Sequence, residues 1–177
     1  MAATGDTLMA TASPKLALRP FLPTDAPLLA EIFRESILEL TSDDYSEAQR
    51  EAWISRAEDL EAFAARLSKQ LTLIATFDGS PVAFASLAGN TKIDMLFVHP
   101  IVSGQGAGAL LVDALEKLAG ARGASSLTVD ASDTARGFFE KRGYVAQQRN
   151  SVSVGDEWLA NTTLSKALVK PNAQPEA

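Results

Sequence analysis

The chain has 177 residues, 46% of them apolar, and a formal net charge of −6, which suits one domain with a single buried core. That charge argues against nucleic acid as a partner, because phosphate binding draws on clustered Lys and Arg. With no cysteine and one histidine, His99, the chain excludes disulfides, thiolate metal sites, a cysteine nucleophile and a histidine-rich centre, so no metal cofactor is expected. It has no apolar run of about 18 residues to span a membrane, and its start lacks a basic region ahead of an apolar one. It therefore reads as a soluble, unexported, cytoplasmic protein.

Residues 1–14 are small and polar, and residues 169–177 carry Pro171 and Pro175, so both ends read as disordered tails around a domain at 15–168. Leu16 to Pro20 alternates as a strand. Thr24-Asp25-Ala26-Pro27 opens a helix to about Leu40, with Leu29, Ile32, Phe33 and Ile37 on one face. Ser46 caps a short helix over Glu47 to Trp53, and Asp59 to Ser68 reads as another. Leu71–Phe77 and Pro81–Leu87 form a hairpin about Asp78-Gly79. Lys92 to Val98 is the next strand, and Ala109 to Ala121 an amphipathic helix. Ser125 to Asp130 is a strand and Thr134 to Arg142 a helix ended by Gly143. Tyr144–Gln148 and Trp158–Leu164 supply the last strands. The order is mixed α/β, not a strict βαβ repeat.

Between the strand ending at Val98 and the following helix lies Ser103-Gly104-Gln105-Gly106-Ala107-Gly108-Ala109. Such a turn can cradle an anion, since backbone N–H groups approach phosphate where side chains are absent and the helix N-terminus adds partial positive charge. A tight turn with close helix packing is the competing use. No Gly-Lys-Ser/Thr phosphate loop is present, and the glycine spacing does not match G-x-G-x-x-G, which argues against other nucleotide-binding folds.

Ile93-Asp94-Met95-Leu96-Phe97-Val98-His99-Pro100 followed by this turn resembles the acetyl-CoA-binding motif of Gcn5-related N-acetyltransferases. The family pattern places its two small residues on Gly106 and Gly108 and its leading Arg or Gln on Ser103, a departure. Ala131 to Tyr144 resembles the family's later segment, with Ser132 where relatives carry Asn and Phe139 where a tyrosine often serves as general acid. Phe139 cannot donate a proton. Asp44 to Trp53 is similar to a stretch in a bacterial subgroup of these enzymes.

The resemblance implies a mostly antiparallel mixed sheet with a splayed strand pair, flanked by helices. It implies acetyl-CoA as co-substrate, held by Phe97, Val98, the segment Ser103 to Ala109, Ser132, Phe138 and Arg142. It further implies an acceptor pocket shaped by Tyr45, Gln49 and Trp53, with Trp158 as another wall; plain core packing is the alternative use of these aromatics. Asp94, the only carboxylate on its strand, is the first candidate base, on the face that alternation sets opposite Met95 and Phe97; a partner for Arg or Lys is the other reading. His99 is the second candidate base. The expected reaction is acetyl transfer to a primary amine, of a small molecule rather than a protein. A non-catalytic acetyl-CoA sensor is the alternative, and a homodimer is left open.

Overall fold

The computed structural model describes residues 15–169, so the two predicted tails, apart from Val169, lie outside the described residues. The elements run β1 Leu16–Pro20, α1 Ala26–Leu40, α2 Glu47–Ile54, α3 Leu60–Lys69, β2 Leu71–Phe77, β3 Ser80–Ala88, β4 Lys92–Val98, α4 Ala107–Ala121, β5 Ser126–Ser132, α5 Arg136–Lys141, β6 Val145–Val154 and β7 Glu157–Ala167. The seven strands form one sheet in the order β1-β2-β3-β4-β5-β7-β6. Every neighbouring pair is antiparallel except β4 and β5.

Local chemistry accounts for most of these boundaries. Asp78 and Gly79 both take positive φ, at 49° and 87°, the backbone of a two-residue hairpin turn between β2 and β3. The Ser46 hydroxyl accepts the Gln49 N–H at the start of α2, and the Gln49 side chain accepts the Ser46 N–H in return, a reciprocal cap. The Asp59 carboxylate accepts the Ala62 N–H and caps α3 without a return bond.

Helices cover both faces of the sheet. On one face Leu111, Val112 and Leu115 of α4 pack over Ala75, Ala83 and Ala85, whose small side chains let the helix lie close to β2 and β3. On the other, Leu29, Ile32, Phe33 and Ile37 of α1 and Phe63 and Leu67 of α3 enclose Ile74, Phe84 and Met95. Each large side chain buried this completely contributes about 1.5–3 kcal/mol relative to exposure. A smaller cluster of Tyr45, Val154 and Leu159 is joined to the second by Trp53, which packs against both.

One departure from the sequence reading, at Asp94, and the expected splayed strand pair shape the site. The β3–β4 register runs Leu87 to Ile93 and then Ser86 to Met95, so Asp94 is an extra residue on β4. This is a β-bulge, which bends and twists its strand. Beyond Ile93, β4 no longer pairs with β5: the parallel ladder consists of Lys92 with Thr128 and Ile93 with Val129. The two strands then diverge, each held only by its outer neighbour. β6 also runs on to Val154, well past the predicted end at Gln148.

Candidate active site

The diverging strands open a cavity of about 720 Å³ that reaches from the glycine turn to the α1–α2 loop. Strand geometry decides which backbone groups face it. The His99 N–H donates to the Val82 carbonyl of β3 at 2.8 Å. Alternation along β4 then turns Phe97 toward β3 as well, and turns the N–H groups of Leu96 and Val98 to the open side. Phe97 reaches the cavity with its ring instead, packed edge-to-face on Phe33 at 4.6 Å between centroids. Leu96 went unnoticed in the sequence because an aliphatic strand residue carries no signal for a backbone role.

At the other end, Ser103, Gly104, Gly106, Ala107, Gly108 and Ala109 all line the cavity. Gly106 sits at the N-cap of α4 with φ 91°, and no side chain caps it. The first helical hydrogen bond is from the Leu110 N–H to the Gly106 carbonyl, which leaves the amides of Ala107, Gly108 and Ala109 without a helical acceptor. The first turn carries no acidic residue. A 15-residue helix thus presents uncompensated N–H groups and the positive end of its dipole to the cavity, an arrangement suited to phosphate. A Cβ on Gly108 would lie 3.5 Å from Phe138 and 3.7 Å from Val98, so this residue sets the contact between α4, β4 and α5.

The predicted site residues divide. Ser132 and Phe138 line the cavity; the Ser132 hydroxyl accepts the Ala135 N–H at 3.1 Å and shapes the turn into α5. Gln105 is exposed and does not line it. Arg142 lies off the cavity, paired with Asp113 and stacked over Phe138 at 5.6 Å. His99 is also off the cavity: its Nδ1 accepts the Ile101 N–H at 3.2 Å and caps the turn Pro100–Val102. At the acceptor end Tyr45 and Trp53 line the wall with rings 5.4 Å apart, whereas Gln49 is spent on the α2 cap and on the Trp158 carbonyl. Trp158 is 62% exposed and faces outside the cavity.

Asp94 lines the cavity but not on the predicted face. The bulge turns it toward α3, on the side of Met95 and Phe97, where its carboxylate accepts from Arg66 Nε and Nη2 at 2.9 Å each and from Gln70 Nε2 at 2.8 Å. Two ionised oxygens offer about four acceptor positions, so one is left for a further donor.

Below it, where β4 and β5 part, Lys92 meets Asp130 at 2.7 Å and Thr163 donates to the same carboxylate at 2.6 Å. Burial works to raise the Asp130 pKa, but the hydrogen bonds from Lys92 and Thr163 outweigh it and hold the group below its ordinary value. A depressed folded pKa gives stability that is present above the unfolded value of about 3.9 and lost as pH falls through the folded one. Asp130→Asn is therefore expected to flatten the loss of stability below about pH 4, as read by urea unfolding at stepped pH; an unchanged profile would show that the pair adds nothing.

A strap of hydrogen bonds joins elements that line the cavity at this end. The Tyr45 hydroxyl donates to the Ala160 carbonyl at 2.6 Å and accepts the Asp133 N–H at 2.8 Å, and Thr134 donates to Asp44 at 2.6 Å. The α1–α2 loop is thereby tied to the β5–α5 turn and to β7.

The sequence model of the acetyltransferase (GNAT) domain matches residues 41–160, more than half of the chain. An uncharacterized N-acetyltransferase of Escherichia coli (strain K12), YafP, is 32% identical over 146 residues, spanning 82% of this chain and 92% of the relative. The crystal structure of a GCN5-related N-acetyltransferase from Rhodopseudomonas palustris, described further as "Aminotransferase, Class-II", is 66% identical with a TM-score of 0.85, over 86% of this chain and 95% of that one. The PaiA N-acetyltransferase from Thermoplasma acidophilum, solved with coenzyme A, shares the fold at 19% identity and a TM-score of 0.72, over 86% of this chain and 99% of that one. On the matched domain and these identities, the chain belongs to the GNAT family of N-acetyltransferases.

Proposed function

We propose that the protein moves an acetyl group from acetyl-CoA to the primary amine of a small molecule, by direct transfer within a ternary complex. The observation that carries this reading is the continuity of the cavity. One opening joins a bare helix N-terminus, an unpaired strand edge and an aromatic pocket.

The residues present fit acetyl-CoA. The amides of Gly106 to Ala109 would hold its pyrophosphate, and the free edge of β4 at Leu96 and Val98 would take the pantetheine amides as an added strand takes a sheet edge. The thioester supplies an acyl group on a thiol leaving group of pKa about 8.5, a tolerable departure at neutral pH. The chain itself contributes an amide donor, from Leu96 or Val98, aimed at the oxygen on which charge develops. A fixed donor of this kind is worth about 2.7–4 kcal/mol of barrier in acyl transfer. Arg66 and Gln70 orient Asp94 so that its remaining acceptor position receives an N–H of the amine, directly or through water. Phe139 is 1% exposed and apolar, so it donates no proton to the departing thiolate, which takes one from water or from another group.

The strap at the acceptor end and the wall of Tyr45, Trp53 and Phe97 support a small molecule over a protein tail. Release of free thiol from acetyl-CoA in the presence of an amine panel tests the reading. Asp94→Asn is expected to lower kcat by about 100-fold while leaving acetyl-CoA affinity unchanged. Turnover that stays the same at every pH would remove Asp94 from the chemistry, and acetyl-CoA binding without transfer to any amine would favour a sensor.

A further inference from the structure

The acceptor end of the cavity carries an unbalanced charge. Its ionised lining residues are Arg56, Arg66, Lys92, Asp94 and Asp130. Asp94 is matched by Arg66 and Asp130 by Lys92. Arg56 is left over: among the described residues it forms no ion pair and its side chain makes no hydrogen bond. The wall therefore bears one net positive charge in a chain whose own net charge is −6.

Position decides what that charge faces. Arg56, itself exposed, lies on the turn Ser55–Ala57 that follows α2, and that turn packs against α1, α2 and α3 through Ala57. These helices cover the sheet face opposite α4, whose N-terminus is the phosphate end of the cavity. The lining shared with Arg56 includes apolar and aromatic residues: Trp53 stands one helical turn earlier, edge-to-face with Phe97 at 6.2 Å, and Ile37, Leu40 and Leu159 line the same cavity.

We infer that the acceptor amine carries a carboxylate on an apolar or aromatic body, and that Arg56 binds the carboxylate. The inference rests on the acyl-transfer reading for the identity of the site. A guanidinium offers a planar pair of N–H donors that matches a carboxylate in bidentate fashion, and that of Arg56 has no competing acceptor among the described residues. Arg66 cannot take the same part, because its Nε and Nη2 are committed to Asp94. An α-amino acid with a large apolar side chain satisfies all three walls: the amine toward Asp94, the carboxylate on Arg56 and the side chain among Trp53, Phe97 and Leu40.

The test compares matched pairs that differ only in the carboxylate: phenylalanine with phenethylamine, tryptophan with tryptamine, leucine with isoamylamine. Wild type is expected to use the carboxylated member with at least about tenfold higher kcat/KM. Arg56→Gln is expected to raise KM for that member about 10- to 100-fold with kcat nearly unchanged, the loss typical of a charge-assisted contact. It should leave the decarboxylated member and acetyl-CoA affinity as they were, and Arg56→Lys should restore part of the discrimination. Equal use of the paired amines, or an Arg56→Gln variant that binds acetyl-CoA more weakly, overturns the inference. If acetyl-CoA binds but none of these amines is acetylated, calorimetric titration of phenylalanine into the CoA-saturated protein decides separately. Binding lost in Arg56→Gln supports the carboxylate site while the transfer reading fails, and no binding to wild type overturns the site.

Discussion

Replacing Gly106 with glutamate is expected to weaken acetyl-CoA binding by at least about 100-fold, the equivalent of one or two charge-assisted hydrogen bonds. Two effects combine. Gly106 holds φ at 91°, a left-handed conformation that costs a residue with a Cβ about 1–2 kcal/mol. No protein atom lies within 4 Å of where that Cβ would be, so the side chain is not refused by its neighbours and stands free beside the cradle. There its carboxylate would occupy the same uncapped amides that the pyrophosphate needs. Gly106→Ala separates the effects, since it carries the backbone strain without the competing anion. The alanine variant should lose about 1–2 kcal/mol in urea unfolding yet keep most of its affinity in calorimetric titration. Equal loss of binding in both variants would trace the effect to the backbone and not to the anion site.

Tyr45→Phe is expected to cost about 2–4 kcal/mol of stability, an unusually large effect for one oxygen atom. The ring is 5% exposed, and its hydroxyl serves the Asp133 amide and the Ala160 carbonyl together. Without it both groups, each part-buried, lose this partner, at up to about 1–3 kcal/mol each. Burial holds the phenol pKa above its ordinary value, against the lowering effect of the Asp133 amide, so the hydroxyl keeps its proton and its donor role through neutral pH. The strap it fastens ties the α1–α2 loop to β7 and the β5–α5 turn, away from the glycine turn at the N-terminus of α4. Tyr45→Phe should accordingly raise KM for the amine while acetyl-CoA affinity changes little, with kinetics and urea midpoints as the readouts. An unchanged midpoint would mean that the strap contributes nothing to the fold.

The parts of this architecture legible in the sequence are those set by local chemistry. β4 begins at Lys92 and ends at Val98 as expected, and the Asp78-Gly79 turn folds as its positive-φ preference requires. The glycine turn was visible because its function rests on missing side chains. What escaped depends on tertiary contacts. The bulge at Asp94 breaks the alternation that any period-two reading assumes, so the carboxylate emerges on the side of α3 beside Arg66. β6 was cut short at Gln148 because Arg149, Asn150, Ser151 and Ser153 are polar, which suits an exposed edge strand but gives no apolar rhythm. Gln49 and Trp158, both expected in the acceptor wall, do not line the cavity; a hydrogen bond from the Gln49 side chain to the Trp158 carbonyl ties α2 to β7 instead. Arg56 and Arg66, 10 residues apart on different elements, have no sequence pattern that places them on one wall.

An amide-resolved NMR titration of the wild-type protein with acetyl-CoA tests the central claim most directly, because the account names the amides that must respond. The N–H signals of Leu96 and Val98 and of Gly106 to Ala109 should shift most, with Phe97 and His99, whose amides face β3, moving less. Saturable binding that leaves the glycine turn and the open edge of β4 unperturbed, or no binding at all, would contradict it.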